Sequence, residues 1–233
     1  QTLVSTQPEN KNVVLEEFTG IHCTFCPDGH VVAQGIYDNN PGDVVLINIH
    51  AGGYAAPSAG EPDFRTTFGA AIDGQASVSG YPAGTVNRHS FAAQGWTQGG
   101  GTAMSRGDWN SAASQILATP SPVNIGAQAS IDMATGVLTV DVEAYYTGWG
   151  ASAPFSNMLN VAVLQNNVPG PQTGGATYNP GAIIPGQWNP TYNHQHMLRH
   201  LMTGQWGDQI NTISAGTLVS RQYTWTIPAD ING

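Results

Sequence analysis

The chain has two cysteines, in Cys23-Thr24-Phe25-Cys26, and their place between a strand-like run and a helix start constrains the fold more than any other feature. Val13-Val14-Leu15-Glu16-Glu17-Phe18 reads as a mostly buried strand, and Thr19-Gly20-Ile21-His22 as the loop leaving it. Pro27 suits a first helical turn, where its missing N–H has no intrahelical partner to lose. Asp28 to Tyr37 continue that helix until Asn39-Asn40-Pro41-Gly42 stops it. Val44-Val45-Leu46-Ile47-Asn48-Ile49 is the most strand-like run in the chain. Strand, cysteine pair, helix, strand is a βαβ unit with its motif at the strand's C-terminal end, the edge where open α/β sheets place their sites.

A dithiol at this spacing closes a disulfide at a helix start. The unsatisfied N–H groups and the positive end of the helix dipole favour thiolate over thiol there. Cys23 is the candidate nucleophile and Cys26 the resolving thiol, exchanging through a mixed disulfide. A second reading is a disulfide that only staples the loop, although closing so short a loop stabilises by roughly 2 kcal/mol. A third is half of a metal site, which would need two more soft ligands, and only histidines are present to supply them.

Beyond Ile49, Ala51 to Pro62 reads as a loop insertion and Asp63 to Ile72 as a short helix. Val78 to Asn87 reads as a turn entering another strand, and Asp108-Trp109 opens a helix that ends before Thr119-Pro120-Ser121-Pro122. That Pro-Ser-Pro punctuation predicts a domain boundary, dividing the chain into 1–120 and 121–233. Beyond it, Ala127 to Ile131 and Val137 to Tyr146 form a hairpin whose Leu138, Val140, Val142, Ala144 and Tyr146 share one buried face. Leu159 to Leu164 and Leu218 to Ile227 are further strands, the latter with Val219, Tyr223, Trp225 and Ile227 on one side. The expected fold class is an α/β domain followed by an all-β immunoglobulin-like sandwich, without the cysteine pair that marks true immunoglobulin domains.

Composition narrows the partners. Six Lys and Arg against fifteen Asp and Glu give a net charge of −9, so binding to a phosphate backbone has no electrostatic support. The 29 glycines, 15 prolines and only 9% charged residues describe a loop-rich, β-leaning protein with a polar but mostly uncharged surface. No run has the apolar length to cross a bilayer, and the start at Gln1 is read as the mark of a removed export leader. The ending Asp230-Ile231-Asn232-Gly233 suggests the loss of a further strand or sorting segment. No cofactor motif is found: there is no P-loop, dinucleotide fingerprint, calcium loop or nucleophile elbow.

Val14-Leu15-Glu16-Glu17-Phe18 followed by Cys23-Thr24-Phe25-Cys26 resembles the first core strand and active site of thioredoxins. Thioredoxins carry a buried acid six positions before the first cysteine, and that offset lands on Glu17. The resemblance implies that Glu17 relays a proton to or from Cys26; a half-buried carboxylate with an ordinary structural role is the other reading. Thioredoxins also carry a cis-proline facing the dithiol, preceded by a residue whose backbone pairs with a substrate peptide, and Tyr81-Pro82 matches that pattern; an ordinary trans turn proline remains the alternative. The departures are His22 in place of an aromatic, Thr-Phe in place of Gly-Pro, and a long insertion between Ile49 and Pro82. His22 is either a stabiliser of the Cys23 thiolate or a solvated loop residue, and Phe25 is read as a contact for a partner.

Glu16 to His30, with its Glu-Glu-Phe-Thr-Gly-Ile-x-Cys-x-x-Cys-Pro-x-Gly-His pattern, is similar to the outer membrane protein 28-related proteins of Bacteroidetes-type bacteria. Tyr81-Pro82 with Asn87-Arg88, then Asp108-Trp109, Tyr192 to Arg199, and Gly204-x-Trp206-Gly207 recur in that family's order, so the resemblance runs from about Val13 to Ile227. It implies an exported protein of the periplasm or outer surface with a thioredoxin-like domain and a β-domain.

His194, His196 and His200 fall within seven residues, the first two on one face if the stretch is extended. They are weak candidates for zinc or copper, and aromatic packing with hydrogen-bonded ring nitrogens is the competing reading. The expected function is an extracytoplasmic thiol-disulfide oxidoreductase acting on a protein thiol or disulfide partner or on small disulfide substrates. The rival is a surface binding or adhesion protein on the same scaffold, with a permanent disulfide and a surface ligand. The oligomeric state is not legible.

Overall fold

The computed structural model describes residues 2–148, 156–211 and 213–231. Along the chain run β1 (Val13–Thr19), α1 (Cys26–Asn39), β2 (Val44–His50), α2 (Gly69–Ala76), β3 (Ala83–Val86), β4 (Met104–Ser105), α3 (Trp109–Leu117), β5 (Val123–Asp132), β6 (Val137–Tyr146), β7 (Asn157–Leu159) and β8 (Ala162–Gln165). They are followed by β9 (Val168–Pro171), α4 (Gly175–Tyr178), β10 (Ile183–Ile184), β11 (Thr191–His194), β12 (Met197–Leu201), β13 (Asp208–Ile210) and β14 (Leu218–Thr226). The architecture is mixed α/β with strands predominating.

The chain forms two units. One, residues 12–118 and 163–200, carries the cysteines and is called the disulfide unit here; the other, residues 1–11, 119–162 and 201–233, is called the hairpin unit. The chain leaves the disulfide unit after residue 118, and residues 163–200 return to it. The cause is pairing that no local pattern encodes. Met197 of β12 pairs in parallel with Asn48 of β2, Asn48 N–H donates to the His196 carbonyl at 2.8 Å, and Asn48 Nδ2 donates to the Gln195 carbonyl at 2.9 Å.

The disulfide unit is built on a six-stranded sheet of order β4-β3-β1-β2-β12-β8. β1 and β2 run parallel from Val13↔Val44 to Thr19↔His50, as the βαβ reading requires. α1 forms where expected: Pro27 and Asp28 lie in its first turn, and Cys26, Gly29, Ala33 and Ile36 are buried at helical spacing. Asn39 and Asn40 end it by donating from Nδ2 to the carbonyls of Gly35 and Ile36, both at 2.8 Å. The core gathers Val13, Leu15, Ala33, Ile36, Leu46, Phe91, Met104 and Trp109. The helix expected from Asp63 to Ile72 instead starts at Gly69. Asp63 Oδ1 accepts the Arg65 N–H at 3.0 Å in a local turn, and Phe64 turns inward against His50 and His194.

In the hairpin unit, β5 and β6 pair antiparallel from Val123↔Tyr146 to Asp132↔Val137, and β14 joins β6 on its other side. The burial of β6 alternates strictly, with Leu138, Val140, Val142, Ala144 and Tyr146 inward. The single strand expected from Leu159 to Leu164 is two: β7 pairs with β13, whereas β8 belongs to the six-stranded sheet. The last two residues of the Asp230-to-Gly233 ending lie outside the described residues.

Candidate functional site

Cys23 and Cys26 are joined in a disulfide at the entrance to α1. Cys23 N–H donates to the Gly20 carbonyl at 2.9 Å, and His22 N–H to the Tyr54 carbonyl at 3.0 Å, so the loop from β1 is held from both sides. Cys23 is 3% exposed and Cys26 fully buried.

Glu17 lies on β1 in register with Asn48 of β2 and Gly84 of β3, the two strands that flank it in the sheet. Its carboxyl is buried, and neither oxygen has a hydrogen-bond partner among the described residues. Burial holds its pKa well above the usual carboxylate range, only partly countered by the Arg106 guanidinium. Gly29 shows what surrounds it: a Cβ there would sit 2.5 Å from Glu17 Oε1 and 3.0 Å from Pro82 Cβ. Glu17, the first turn of α1 and Pro82 therefore converge just inside the helix from Cys26. Gly29→Ala is expected to destabilise the protein by about 1–3 kcal/mol through this overpacking, checked by denaturant unfolding; an unchanged midpoint would show that Pro82 and Glu17 can move aside.

The Tyr81-Pro82 peptide bond is cis. The Tyr81 hydroxyl donates to Asp73, and its ring stands 5.9 Å from that of Tyr54 in the insertion after β2. Its oxygen occupies the space that a side chain at Gly52 would fill, and Gly52 has φ +67°, so only glycine suits that position. His22 Nε2 is 2.9 Å from Glu61 Oε2, outside hydrogen-bond alignment, and its charge, when present, faces an acid of the same insertion. Phe25 is 48% exposed and packs at 5.2 Å on Tyr178 of α4.

The three late histidines do not converge. His194 is buried on β11 against His50 and Phe64, His196 sits in a turn with φ +53° beside Tyr37, and His200 on β12 packs on Phe68. The turn at His196 breaks the extended stretch that would have placed the first two on one face. Among the described residues no three His, Cys, Asp or Glu side chains form a group able to hold a metal ion.

Sequence reasoning missed the residues that 163–200 brings to the cysteine loop. Gln172 is buried, and its Nε2 donates to the carbonyls of Gly20 at 3.2 Å and Cys23 at 3.0 Å. Thr173 N–H donates to the Ile21 carbonyl at 2.8 Å, and Gly174 lies directly against Thr24. Next to Glu17, His30 of α1 places Nε2 3.1 Å from Thr19 Oγ1 and 3.8 Å from Glu17 Oε1. Its Nδ1 is 2.8 Å from the Tyr192 hydroxyl, which accepts from Asn179 Nδ2 at 2.8 Å. Burial, with the charges of His194 and His196, pushes the His30 pKa down to about 3, so the ring is neutral. A pocket of about 80 Å³ is lined by Glu17, His30, Asn48, Asn179, Tyr192 and His196, among others. The only sequence signals were His30 and Tyr192 within the family-like stretches; nothing local joins them.

The family model described as outer membrane protein Omp28 matches residues 70–233. Two solved structures share the fold. HBP35 of Porphyromonas gingivalis aligns with a TM-score of 0.67 at 19% identity, over 94% of this chain and 65% of that one. Protein AGR_C_4864 from Agrobacterium tumefaciens aligns with a TM-score of 0.54 at 13% identity, over 96% of this chain and 81% of that one. The chain thus spans just under two thirds of HBP35. No curated protein matches it in sequence.

Proposed function

We propose, from the premise that the chain belongs to the outer membrane protein Omp28 family, that it is an extracytoplasmic thiol-disulfide oxidoreductase whose disulfide unit is a thioredoxin-like domain. The hairpin unit is read as an immunoglobulin-like sandwich. The family sets the location as exported, in the periplasm or at the outer membrane, and no helix among the described residues is long and apolar enough to cross a membrane.

One observation carries the redox reading: a buried carboxyl, Glu17, with a raised pKa and no hydrogen-bond partner among the described residues, lies with Pro82 against the helix turn that begins at the disulfide. A structural staple needs no such acid, whose burial is costly. In this reading Cys23 attacks or is attacked, Cys26 resolves, Glu17 exchanges a proton with Cys26, and Tyr81-Pro82 docks a peptide of the protein partner. His22 beside Cys23 tunes the thiolate against Glu61. A second reading, a surface binding protein with a permanent disulfide, draws on the near-complete burial of Cys23 and on the clamp from Gln172 and Thr173.

The pair's potential, measured by equilibration with glutathione, is expected within the range that glutathione can poise. Wild type but not Cys23→Ser is expected to reduce insulin, and Cys26→Ser to trap a mixed disulfide through Cys23. A potential far below the glutathione range, together with no Cys23-dependent turnover, would leave only the binding-protein reading.

A further inference from the structure

We propose that His30 and Tyr192 form a proton relay between Glu17 and the pocket beside them, with Asn179 positioning the Tyr192 hydroxyl. The inference rests on the redox reading above and extends it to residues that the cysteine motif does not include.

A buried carboxyl that gives up a proton must regain one. Glu17 has no hydrogen-bond partner of its own among the described residues, and His30 Nε2 is a titratable ring nitrogen within 3.8 Å of it. On its far side the ring meets Tyr192 at 2.8 Å, and Tyr192 meets Asn179 at 2.8 Å. All four residues line a pocket of about 80 Å³, room for roughly two water molecules. Because Asn179 donates to the Tyr192 oxygen, the Tyr192 O–H is free to donate to His30 Nδ1, which leaves the ring proton on Nε2, facing Thr19 and Glu17.

In the half-reaction that reduces the pair, a substrate thiolate attacks Cys23 Sγ. The Cys23–Cys26 bond breaks, and its electron pair leaves on Cys26 Sγ, which takes the Glu17 proton. A second substrate thiolate then attacks the substrate sulfur of the mixed disulfide, forming the substrate disulfide and releasing Cys23 as thiolate. The substrate loses two electrons and the pair gains them. The Glu17 carboxylate now takes the His30 Nε2 proton across a gap that its new charge draws closed. Tyr192 passes its proton to Nδ1, and a pocket water reprotonates Tyr192. Reoxidation of the pair runs the same chain backwards and restores the tautomer. Arg106, which Asp28 pairs, is the charge facing Glu17, and His194 and His196 face His30.

The test is single-turnover reoxidation of the full chain by oxidised dithiothreitol, after its disulfide has been reduced, followed by thiol labelling across pH in light and heavy water; in this direction Glu17 must pass its proton to His30 before it can take that of Cys26. Wild type is compared with Glu17→Gln, His30→Gln and Tyr192→Phe, each checked for folding. His30→Gln and Tyr192→Phe are expected to slow reoxidation about tenfold, with a larger solvent isotope effect. Once corrected for thiolate concentration, the pH dependence is expected to persist in both and to vanish only in Glu17→Gln. If His30→Gln does not fold, Tyr192→Phe decides. Wild-type rates in both variants would overturn the relay while leaving the redox reading intact. A wild-type disulfide that resists reduction until the chain unfolds would overturn the redox reading and the relay with it.

Discussion

Acidification from pH 6.5 toward 4 is expected to unfold the disulfide unit steeply. His30, His50 and His194 are buried as neutral rings. Burial pushes His30 down to about 3 and His194 down to about 4, and holds His50 well below the ordinary 6.5. Neither His50 nitrogen has a hydrogen-bond partner among the described residues, and Arg199 adds a repelling charge. Below pH 6.5 the unfolded chain binds protons that the folded chain refuses. Stability therefore falls as pH drops, until each folded pKa is reached. One proton is worth about 1.4 kcal/mol per pH unit, so three rings remove roughly 4 kcal/mol per unit. Glu17 has the opposite sign: its raised folded pKa contributes stability that is fully present below pH 4.5 and lost as pH rises toward the folded value. It offsets at most one of the three protons. Against a typical stability of about 5–15 kcal/mol, two pH units consume much of the total. Denaturant midpoints measured across the window should fall with a slope of two to three protons, and a flat profile would mean that these rings already carry charge or are solvated when folded.

Replacing Trp109 by Ala should cost about 3–5 kcal/mol and lower the melting temperature by roughly 10 °C. Its indole is fully buried among Val13, Leu15, Ile36, Phe91 and Met104. It lies flat against Gly84, where a Cβ would come within 2.8 Å of the ring, and its Nε1–H donates to the Met104 carbonyl at 3.2 Å. Truncation leaves a cavity that the sheet cannot collapse into, together with a carbonyl deprived of its donor. Trp109→Phe should recover most of the loss, because the ring volume dominates; equal losses would assign the effect to the hydrogen bond.

Much of the site was legible because it is local. The strand before the cysteines, Pro27 in the first helical turn and the asparagines that end α1 act within a few residues, and their chemistry is written in the order of the chain. Asn87-Arg88, seen only as part of a family-like pattern, has a physical reason as well. Asn87 Oδ1 accepts the Val14 N–H at 2.8 Å, and Arg88 forks onto Glu16 at 2.7 and 2.6 Å, so the two pin the strand that carries Glu17. The contents of 163–200 were not legible. Its strands look like any others, and whether they pair with the hairpin or with β2 depends on loop closure over more than a hundred residues, for which sequence period carries no signal.

The residues alone determined where the disulfide sits, which helix it opens, that an acid lies six positions before it and that β6 buries every second side chain, because each follows from spacing and backbone preference. Tertiary structure decided which groups meet that acid and that loop. It placed Gln172 over Cys23, set Tyr192 against His30 and scattered the late histidines among separate aromatic partners, because a buried polar group takes its partners from whatever the fold packs beside it.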